Sequence, residues 1–415
     1  MSPTTSRRSF LKTATAGAAA VSMSAASYAR VVGANDRLSI AVIGCGQRGF
    51  GAHMPGVHKY ADSENMEITA VSDPWRLPRE RAAAQTNKWY GRPARQFVSH
   101  RDIMALKDVD AVMIASCDHQ HTTQLIAAAK ANKPAYCEKP LARDMKSLLE
   151  CYDAVKQSGI VCQIGTQGRS RPGPTGCRKL YKTGVLGTVS RIEQRRNSTR
   201  PYWYSRLKEA KESDVEWGEF LMDEPARPFD AELLTGWFGY RDFSDGPVPQ
   251  LATHFLDMVH YVTGATLPTS CVALGGIFTY KDEHNFTCPD HVESTWIYPE
   301  GFMVSYTTNF GNSSGRSYHF YGSGGVMDLG SHDAPTVSGE GAAIRGELRD
   351  KVAVDPVEVP DHFLNWLQCI RSGKTPNASI EAGYQHSIAS IMSVQAMDTG
   401  RRQIYDHQRR EIRAG

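Results

Sequence analysis

An apolar run that stops at a glycine-rich turn, RLSIAVIGCGQRGFG at residues 37–51, constrains the fold more than any other stretch of the chain. The run predicts a buried strand, and Gly44, Gly46 and Gly49 follow it at the start of a predicted helix. The first glycine permits a tight turn, the second lets the backbone approach a pyrophosphate, and the third lets helix and strand pack closely. The spacing predicts the first βαβ unit of a dinucleotide-binding domain. A structural glycine turn without a nucleotide is the alternative.

Asp73 is a second local sign of a nucleotide site. It closes the next predicted strand, MEITAVSD, 24 residues after Gly49, near where the dinucleotide motif places a carboxylate. A carboxylate there accepts hydrogen bonds from ribose hydroxyls and repels a 2′-phosphate. We therefore expect NAD as the cofactor, while Arg76 and Arg79 nearby leave NADP open.

The alternation of apolar runs and helix-like segments predicts the domain organisation. Over residues 37–160 this alternation is typical of parallel βαβ units in a doubly wound α/β sheet, which is a Rossmann domain. Strand-like stretches between Gly, Asn and Pro turns then predict a second α/β domain at 161–415 with a mainly antiparallel open sheet. Two amphipathic helices are predicted at about 360–400, and we expect them to pack back against the preceding part of the chain. Residues 200–250 have little periodicity and many aromatic side chains, which indicates ordered loops over a site.

The first 29 residues have the pattern of an export signal. Arg7, Arg8 and Lys12 precede a mildly apolar, Ala-rich run that ends at Ala29. This pattern predicts a twin-arginine signal peptide at residues 1–29 and export to the periplasm. A cytosolic protein with a frayed Ala-rich helix is the alternative. Because the run is too short to span a membrane, no membrane association is expected once the signal is removed.

The charge balance argues against a nucleic-acid partner. The chain has 47 Lys and Arg against 44 Asp and Glu, and the three basic residues of the predicted signal account for its formal net charge of +3. A neutral mature chain lacks the basic surface that binds phosphate backbones. The nine cysteines form neither a CxxC nor a CxxxH pattern, so neither a disulfide framework nor a metal site is expected.

Several further motifs carry a family resemblance. They lie in one order along nearly the whole predicted mature chain: VIGCGQRG, VSDPW, DAVMIASCDHQHTTQLIAAAKANKPAYCEKPLA, QIGTQGRS, GVLGTV, THFLDMVHYVTG and FLNWLQCIRSGKTP. With CEKPLA as the most specific stretch, the chain resembles the Gfo/Idh/MocA oxidoreductases, the family of glucose-fructose oxidoreductase and inositol dehydrogenase. The resemblance implies a Rossmann domain and a second α/β domain whose open sheet floors the substrate site. It also implies that subunits pair into a homodimer or homotetramer.

The resemblance assigns a catalytic lysine. Lys139 of the EKP motif is expected beside the nicotinamide and the substrate hydroxyl, with a cis bond before Pro140. An ammonium that is desolvated near a positively charged nicotinamide has a lowered pKa, which suits it to relay a hydroxyl proton.

A second motif departs from the family pattern. The family usually shows Asp-x-Gly-x-His, whereas this chain has Gln250 and Ala252 before His254. Gln250 can hydrogen-bond a sugar hydroxyl but cannot take a proton, so His254 is the expected general base, assisted by Lys139. Asp257 is expected to orient His254 from one helical turn away. A helix-start histidine with a purely structural role is the alternative.

The remaining candidates are expected to line the two sites. His119 and His121 follow the third parallel strand, at the edge where nucleotides bind, and no third metal ligand accompanies them. The expected cofactor contacts are Gly44, Gly46, Gln47, Arg48, Gly49, Asp73, Ser116, His119, His121, Glu138, Lys139 and Gln167. The expected contacts to a sugar are Arg169, Trp203, Tyr204, Trp237, Tyr240 and Arg241, although about half of such aromatic residues belong to the core.

Three functions agree with these features. The first is an NAD(P)-dependent oxidoreductase that moves a hydride from a carbinol of a sugar, polyol or sugar derivative to a tightly bound nicotinamide. The second is a redox-neutral glycosidase, in which the sugar is oxidised, eliminates its glycosidic substituent, adds water and is reduced again. The third is a sugar-binding protein without chemistry. The EKP motif favours the first, because the known N-acetylgalactosaminidase branch lacks it.

Overall fold

The structure is a computed structural model that describes residues 36–344 and 346–415, so the predicted signal peptide lies outside the described residues. The strands of the first sheet, β1 to β6, are Leu38–Ile43, Met66–Ser72, Arg95–Phe97, Ala111–Ile114, Ala135–Cys137 and Cys162–Ile164. The helices α1 to α5 of this domain are Met54–His58, Arg76–Tyr90, His100–Ala105, His121–Lys130 and Met145–Ser158.

The first sheet has the strand order of a Rossmann domain. Its parallel strands lie in the order β3-β2-β1-β4-β5-β6. Successive residues of β1 enter two cores: Ile40 and Val42 pack on one side, and Ala41 and Ile43 on the other. Because the strand order reverses between β1 and β4, a crevice opens at the carboxyl ends of these strands, where nucleotides bind in such folds.

The second sheet is mixed and mainly antiparallel, as the sequence predicts. Its strands β7 to β16 are Val189–Arg195, Ser270–Gly276, His291–Ile297, Met303–Asn309, Ser317–Gly322, Gly325–Asp328, Thr336–Ser338, Val352–Ala353, Gln403–Asp406 and Glu411–Ala414. They lie in the order β14-β13-β12-β11-β7-β10-β9-β8-β15-β16, and β7 pairs with β10 in parallel. One face is buried through residues such as Ile192 and Trp296, whereas Val272 and Leu274 are exposed on the other.

The second half of the chain contributes helices α6 to α11. They are Pro172–Tyr181, Trp217–Leu221, Ala231–Thr235, Thr253–Thr263, His362–Ser372 and Ile380–Thr399. Helix α9 buries every residue except Thr263 and its second residue, His254. At the start of α9, His254 is therefore less buried than Thr253 and Phe255 on either side of it.

The end of the chain returns to the first domain. Trp366 and Leu367 of α10 complete the core that also contains Ile40 and Val42. His362 Nε2 lies 3.0 Å from the Ile164 carbonyl oxygen, across 198 positions of sequence. The core on one side of the first sheet is therefore finished by the last sixth of the chain.

Residues 200–243, which we call the cover segment, form a small core of their own. This segment lies between β7 and α9 and contains the short helices α7 and α8. Trp203, Phe220 and Phe243 are buried together at its centre. Aromatic packing, rather than regular secondary structure, holds the segment in shape.

The cover segment is fastened to the carboxyl edge of the first sheet. Glu216 donates its backbone N–H to the Pro74 carbonyl oxygen at 3.0 Å. Arg76 and Asp214 form an ion pair at 2.5 Å, and Gln120 Nε2 donates to the backbone carbonyl of the cover segment's Phe220 at 2.7 Å. These contacts hold the cover segment against the crevice.

The cysteines form no disulfides. All nine are free thiols, and all except Cys117 are buried. Burial raises the pKa of the Cys45 and Cys137 thiols well above their usual range, which keeps them protonated and unreactive. Within the described part of the chain, no helix has the length and apolarity that crossing a membrane would need.

Candidate active site

A cavity of about 1070 Å³ lies between the carboxyl ends of the first sheet, the start of α9 and the cover segment. Pockets for a single small ligand are typically ~300–1,000 Å³, so this cavity accommodates a cofactor and a second molecule. Of the residues predicted to contact the cofactor, all except Gly49 and His119 line it. Lys139, Gln250 and His254 line it as well.

The glycine turn leaves room for a phosphate. A Cβ built on Gly46 would meet no atom within 4 Å, so the backbone there faces open space. Gly44 and Gly49 are packed instead: a Cβ on Gly44 would lie 2.6 Å from Ser116 N, and a Cβ on Gly49 would lie 1.9 Å from Gly44 O. Gly44 also has a φ of +88°. Open backbone at the start of a helix binds anions, so the turn fits a dinucleotide. Gly49 allows the start of the helix to pack closely on the turn, and it does not line the cavity in which its cofactor contact was predicted.

Asp73 is placed to read a ribose. Its carboxylate accepts hydrogen bonds from the backbone N–H groups of Cys45 at 2.7 Å and Trp75 at 2.8 Å. Each carboxylate oxygen has a further lone pair for a hydroxyl donor. Burial raises the pKa of Asp73 to about 6, although both N–H groups oppose that shift.

The arginines that left NADP open in the sequence are otherwise engaged. Arg76 pairs with the cover segment, and Arg79 donates to the Asp73 carbonyl oxygen at 2.5 Å. Arg81 and Lys208, which the sequence did not single out, line the cavity and flank Asp73 instead. The charge at this end of the cavity therefore leaves the choice between NAD and NADP open.

Glu138 is enclosed by donors. Its Oε1 accepts hydrogen bonds from Arg48 Nε at 2.7 Å, His53 Nε2 at 2.9 Å and Gln167 Nε2 at 3.2 Å. Although burial alone opposes ionisation, Arg48 and His53 hold the pKa of Glu138 well below its usual range. The carboxylate ties the glycine turn to the strand end that carries Lys139. The bond from Lys139 to the next residue is cis, as the resemblance implies.

Lys139, Gln250 and Asp118 form one chain of hydrogen bonds. Lys139 Nζ donates to the Gln250 carbonyl oxygen at 2.9 Å and to its Oε1 at 3.2 Å, and Gln250 Nε2 donates to Asp118 Oδ2. Since an ammonium only donates and a carboxylate only accepts, the two neighbours fix the orientation of the amide. Burial lowers the pKa of Lys139, against the attraction of Glu138 and Asp118. Burial raises the pKa of Asp118 to about 7.

His254 faces the cavity as a neutral imidazole. Burial and the nearby Lys139 ammonium hold its pKa well below the usual range. A neutral imidazole can accept a proton at neutral pH, which a histidinium cannot. His254 and Lys139 thus present two nitrogen groups of lowered pKa to the same space.

Asp257 does not orient His254, contrary to the sequence prediction. Its carboxylate accepts hydrogen bonds from Arg169 Nε at 2.9 and 3.0 Å, and His386 Nδ1 lies 3.6 Å away. Although burial opposes ionisation, Arg169 and His386 hold the pKa of Asp257 below its usual range. Because a helix turns by about 100° per residue, three positions do not return fully to the same face. Asp257 and Arg169 form a buried pair, and Arg169 does not line the cavity in which a substrate contact was predicted.

Half of the six predicted sugar contacts belong to the cover segment's core. Trp203, Tyr204 and Tyr240 are buried among other aromatic residues, and Arg241 is held in ion pairs at the surface. Trp237 alone of the predicted aromatic set lines the cavity. Residue type did not distinguish a stacking surface from a packed core.

The two histidines after β4 both contact backbone carbonyl oxygens. His119 contacts the Phe220 carbonyl oxygen at 2.9 Å and lies outside the cavity lining, so its predicted cofactor contact is wrong. His121 lines the cavity but places its ring nitrogens 2.7 Å from the Pro140 carbonyl oxygen and 3.2 Å from that of Ser116. Residues 36–344 and 346–415 contain no group of three or more His, Cys, Asp or Glu that could hold a metal ion.

Among the cavity residues that sequence reasoning missed, four carry polar groups close to the proposed reaction site or in the cover segment. Asp118 stands inside the DHQH stretch whose histidines attracted attention, and its position directly after a parallel strand was the available signal. Arg196, Tyr202 and Arg206 reach the cavity from the second domain and the cover segment. No local periodicity marks them.

Comparisons with known proteins agree with this architecture. Residues 38–166 match the family model described as oxidoreductase family, NAD-binding Rossmann fold, and residues 178–404 match its C-terminal alpha/beta domain. Levoglucosan dehydrogenase of Pseudarthrobacter phenanthrenivorans is 29% identical over 164 residues, which is 40% of this chain and 35% of that protein. Inositol 2-dehydrogenase 3 of Saccharopolyspora erythraea is 32% identical over 163 residues, 38% of this chain and 46% of that protein.

A relative with a different name matches to a similar extent. Glycosyl hydrolase family 109 protein 2 of Shewanella sp. strain ANA-3 is 31% identical over 180 residues, which is 38% of each chain. In all three cases the matched region spans less than half of the relative's length.

A solved structure of levoglucosan dehydrogenase with NADH and levoglucosan has the same fold. It superposes with a TM-score of 0.67 over 88% of this chain and 98% of that chain, at 18% identity. The two family models together span most of the chain, and the first of them is an NAD-binding domain. The chain is therefore a member of the Gfo/Idh/MocA family of NAD-binding oxidoreductases.

Proposed function

We propose that the protein is an NAD(P)-dependent oxidoreductase that oxidises a hydroxyl group of a sugar, polyol or sugar derivative. The observation that carries the proposal is the meeting of Lys139, Gln250 and His254 in one cavity with the open glycine turn. When bound, the nicotinamide supplies the hydride acceptor for such a reaction. The dehydrogenases named above act on polyhydroxylated compounds, which supports this substrate class.

His254 is assigned the general base. Oxidation of a carbinol removes a hydride from carbon and a proton from oxygen, and a neutral imidazole can accept that proton. Lys139 donates to Gln250 and can hydrogen-bond the same substrate oxygen, so it positions the hydroxyl and stabilises the oxygen as its proton leaves. Gln250 accepts hydrogen bonds from the Lys139 ammonium and holds it in place. Its amide can bind the substrate hydroxyl but cannot remove the proton from it.

Substitution Lys139→Met tests the assignment. We expect turnover on the best substrate of a sugar and polyol panel to fall by about 10²–10⁴-fold, followed by nicotinamide absorbance. Lys130→Met, at the exposed end of α4, is the matched control and should keep full activity. Unchanged turnover in Lys139→Met would remove the lysine from the mechanism. Sugar binding without any turnover in the unaltered protein would favour a non-catalytic binding protein instead.

A redox-neutral glycosidase is the second candidate, and the family 109 relative supports it. In that reaction transient oxidation of a hydroxyl acidifies the neighbouring C–H bond, the glycosidic substituent leaves, water adds and the ketone is reduced again. No net nicotinamide reduction accumulates. Assays of sugar release from aryl glycosides, run beside the nicotinamide assay, separate the two functions.

The location is also a proposal. We infer export by the twin-arginine route from the Arg7–Arg8 pattern and the free, buried cysteines, which suit a protein that folds in a reducing compartment. Outside the cytoplasm the cofactor has to be retained and recycled in place. The cover segment, fastened across the crevice, supports retention.

Assembly into a homodimer or homotetramer is proposed from the exposed sheet face. Val272 and Leu274 of β8 are 50% and 75% exposed, and Ile297 of β9 is 41% exposed beside them. Apolar side chains grouped on an open sheet are typical of subunit interfaces.

A further inference from the structure

Arg196 enters the cavity from the second sheet. It directly follows β7, and its backbone N–H donates to the Thr307 carbonyl oxygen at 2.8 Å, which continues the pairing with β10. Side chains alternate across a strand, so Arg196 lies on the face of Ile192 and Gln194, and the preceding Arg195 lies on the open face. Arg196 accordingly lines the cavity whereas Arg195 does not.

Arg196 has no acidic partner among the described residues. The ion pairs of residues 36–344 and 346–415 engage Arg48, Arg143 and Arg169 near the site, but not Arg196. Burial is the main cause of the lowered pKa of both Lys139 and His254, and the Arg196 charge adds to it in each case. The guanidinium therefore acts on the groups assigned to the reaction. It raises the positive potential in the half of the cavity that lies over α9.

Tyr202 supplies an unused donor in the same place. It lines the cavity, and its hydroxyl oxygen is buried without a hydrogen-bond partner. Burial raises the pKa of Tyr202 well above its usual range, and both Asp118 and Arg196 influence it. A buried hydroxyl without a partner is costly, so it points to a ligand acceptor.

The Arg196 guanidinium and the Tyr202 hydroxyl together indicate the charge of the ligand. The cofactor's pyrophosphate already has its site at the glycine turn, on the first domain. An unpaired guanidinium beside an unpaired hydroxyl binds carboxylates and phosphates through charge-assisted hydrogen bonds. We propose that the substrate is a carbohydrate with an anionic substituent, a carboxylate or a phosphate monoester, which Arg196 and the Tyr202 hydroxyl bind. This inference rests on the proposed function, because it concerns the substrate of the same site.

Matched pairs of ligands test the proposal. NADH-loaded protein is titrated by calorimetry with glucose, galactose and mannose, with their uronates, and with their 6-phosphates. We expect at least one anionic member to bind about ten- to hundredfold more tightly than its neutral parent. The uronate and phosphate arms identify which anion is preferred. The preference should weaken as salt concentration rises.

Two neighbouring arginines provide the matched variants. Arg196→Gln is expected to remove the anion preference, so that each anionic member binds no more tightly than its neutral parent. Arg195→Gln makes the same charge change on the opposite face and should retain the preference. Equal or better binding of the neutral parent in every pair, a preference that survives Arg196→Gln, or no binding of any anionic member overturns the proposal. The titration needs no turnover, and NADH affinity measured first reports on the cofactor site, so failure here is separable from failure of the oxidoreductase assignment.

Discussion

Gln250 stands where the family resemblance implies an acid, and the structure brings a different carboxylate to it. Asp118 accepts a hydrogen bond from the Gln250 amide, whose oxygen accepts from Lys139. The carboxylate therefore acts on the lysine through the amide, without contacting it directly. Asp118 is a positioning residue in this arrangement.

Ionisation of Asp118 should appear in the pH dependence. Burial raises the pKa of Asp118 to about 7, so the carboxylate is protonated at lower pH and gains its charge as pH rises. Only the charged form attracts the Lys139 ammonium and accepts fully from Gln250. We expect kcat/KM to fall about tenfold per pH unit below pH 7. Measured with the best substrate of the sugar panel, this limb should be absent in Asp118→Asn. The same limb in both proteins would contradict the role.

At the residue scale the sequence predicted positions better than partners. Lys139, Gln250 and His254 follow from motifs, and all three line the cavity. Asp257 was expected to contact His254, but its carboxylate accepts a hydrogen bond from Arg169 instead. Arg169 lies 88 positions earlier in the chain, and no local sequence spacing relates it to α9. Long-range pairing of this kind depends on tertiary packing, which a single sequence does not display.

At the scale of elements, the glycine turn separates two kinds of glycine. Gly46 faces open space, whereas Gly49 is packed against the backbone of the turn. One position is reserved for a ligand and the other for the contact between helix and strand. The spacing alone predicts both glycines but does not measure the room around them.

Substitution of alanine at Gly46 and at Gly49 should therefore affect different properties, NAD binding in the first case and stability in the second. Gly46→Ala is expected to leave the unfolding temperature nearly unchanged and to weaken NAD binding, because its methyl group enters the space for the phosphate. Gly49→Ala is expected to destabilise the protein by about 1–3 kcal/mol or more, because its methyl group would overlap the Gly44 carbonyl. Thermal unfolding and NAD titration of both variants check the pair. Equal losses of stability would show that Gly46 is a packing residue too.

Regular elements were predictable and the cover segment was not. Period-two and continuous apolar runs identify the strands of the first sheet, since buried parallel strands need apolar residues on both faces. Residues 200–243 lack any such period, and their aromatic side chains suit a sugar site as well as a core. Which of the two they form was decided by contacts with residues far away in sequence, such as Pro74 and Arg76.

At the scale of the whole molecule, the cover segment forms one wall of the candidate cofactor cavity. It spans from the second domain to the first and is held there by the Arg76–Asp214 ion pair and the backbone bond from Glu216. Under the proposed retention of the cofactor, we expect a bound dinucleotide to leave when these contacts open. Retention would then depend on the domain arrangement as well as on the Rossmann site.

Reversing one charge should loosen the cover. Asp214→Lys places a cation against Arg76, and we expect the NAD that remains after dialysis to fall several-fold below the near-stoichiometric content expected of the unaltered protein. Released nucleotide is identified by mass after denaturation. Asp108→Lys breaks a comparable ion pair, Arg95–Asp108 at 2.9 Å, away from the cover segment and should retain NAD. Equal retention in the two variants, or equal loss, would argue against the cover as the barrier.

The return of α10 to the first domain imposes an order on biosynthesis. Trp366 and Leu367 complete the core beside Ile40, yet the ribosome reaches them long after the first sheet has emerged. At about 5–20 residues per second, the 198 positions from Ile164 to His362 take about 10–40 s. During that interval the side of the first sheet that contains Ile40 lacks the cover that these two residues provide. The strands of the first sheet are therefore made long before their core is complete, and completion of that core is a late step in the order of synthesis.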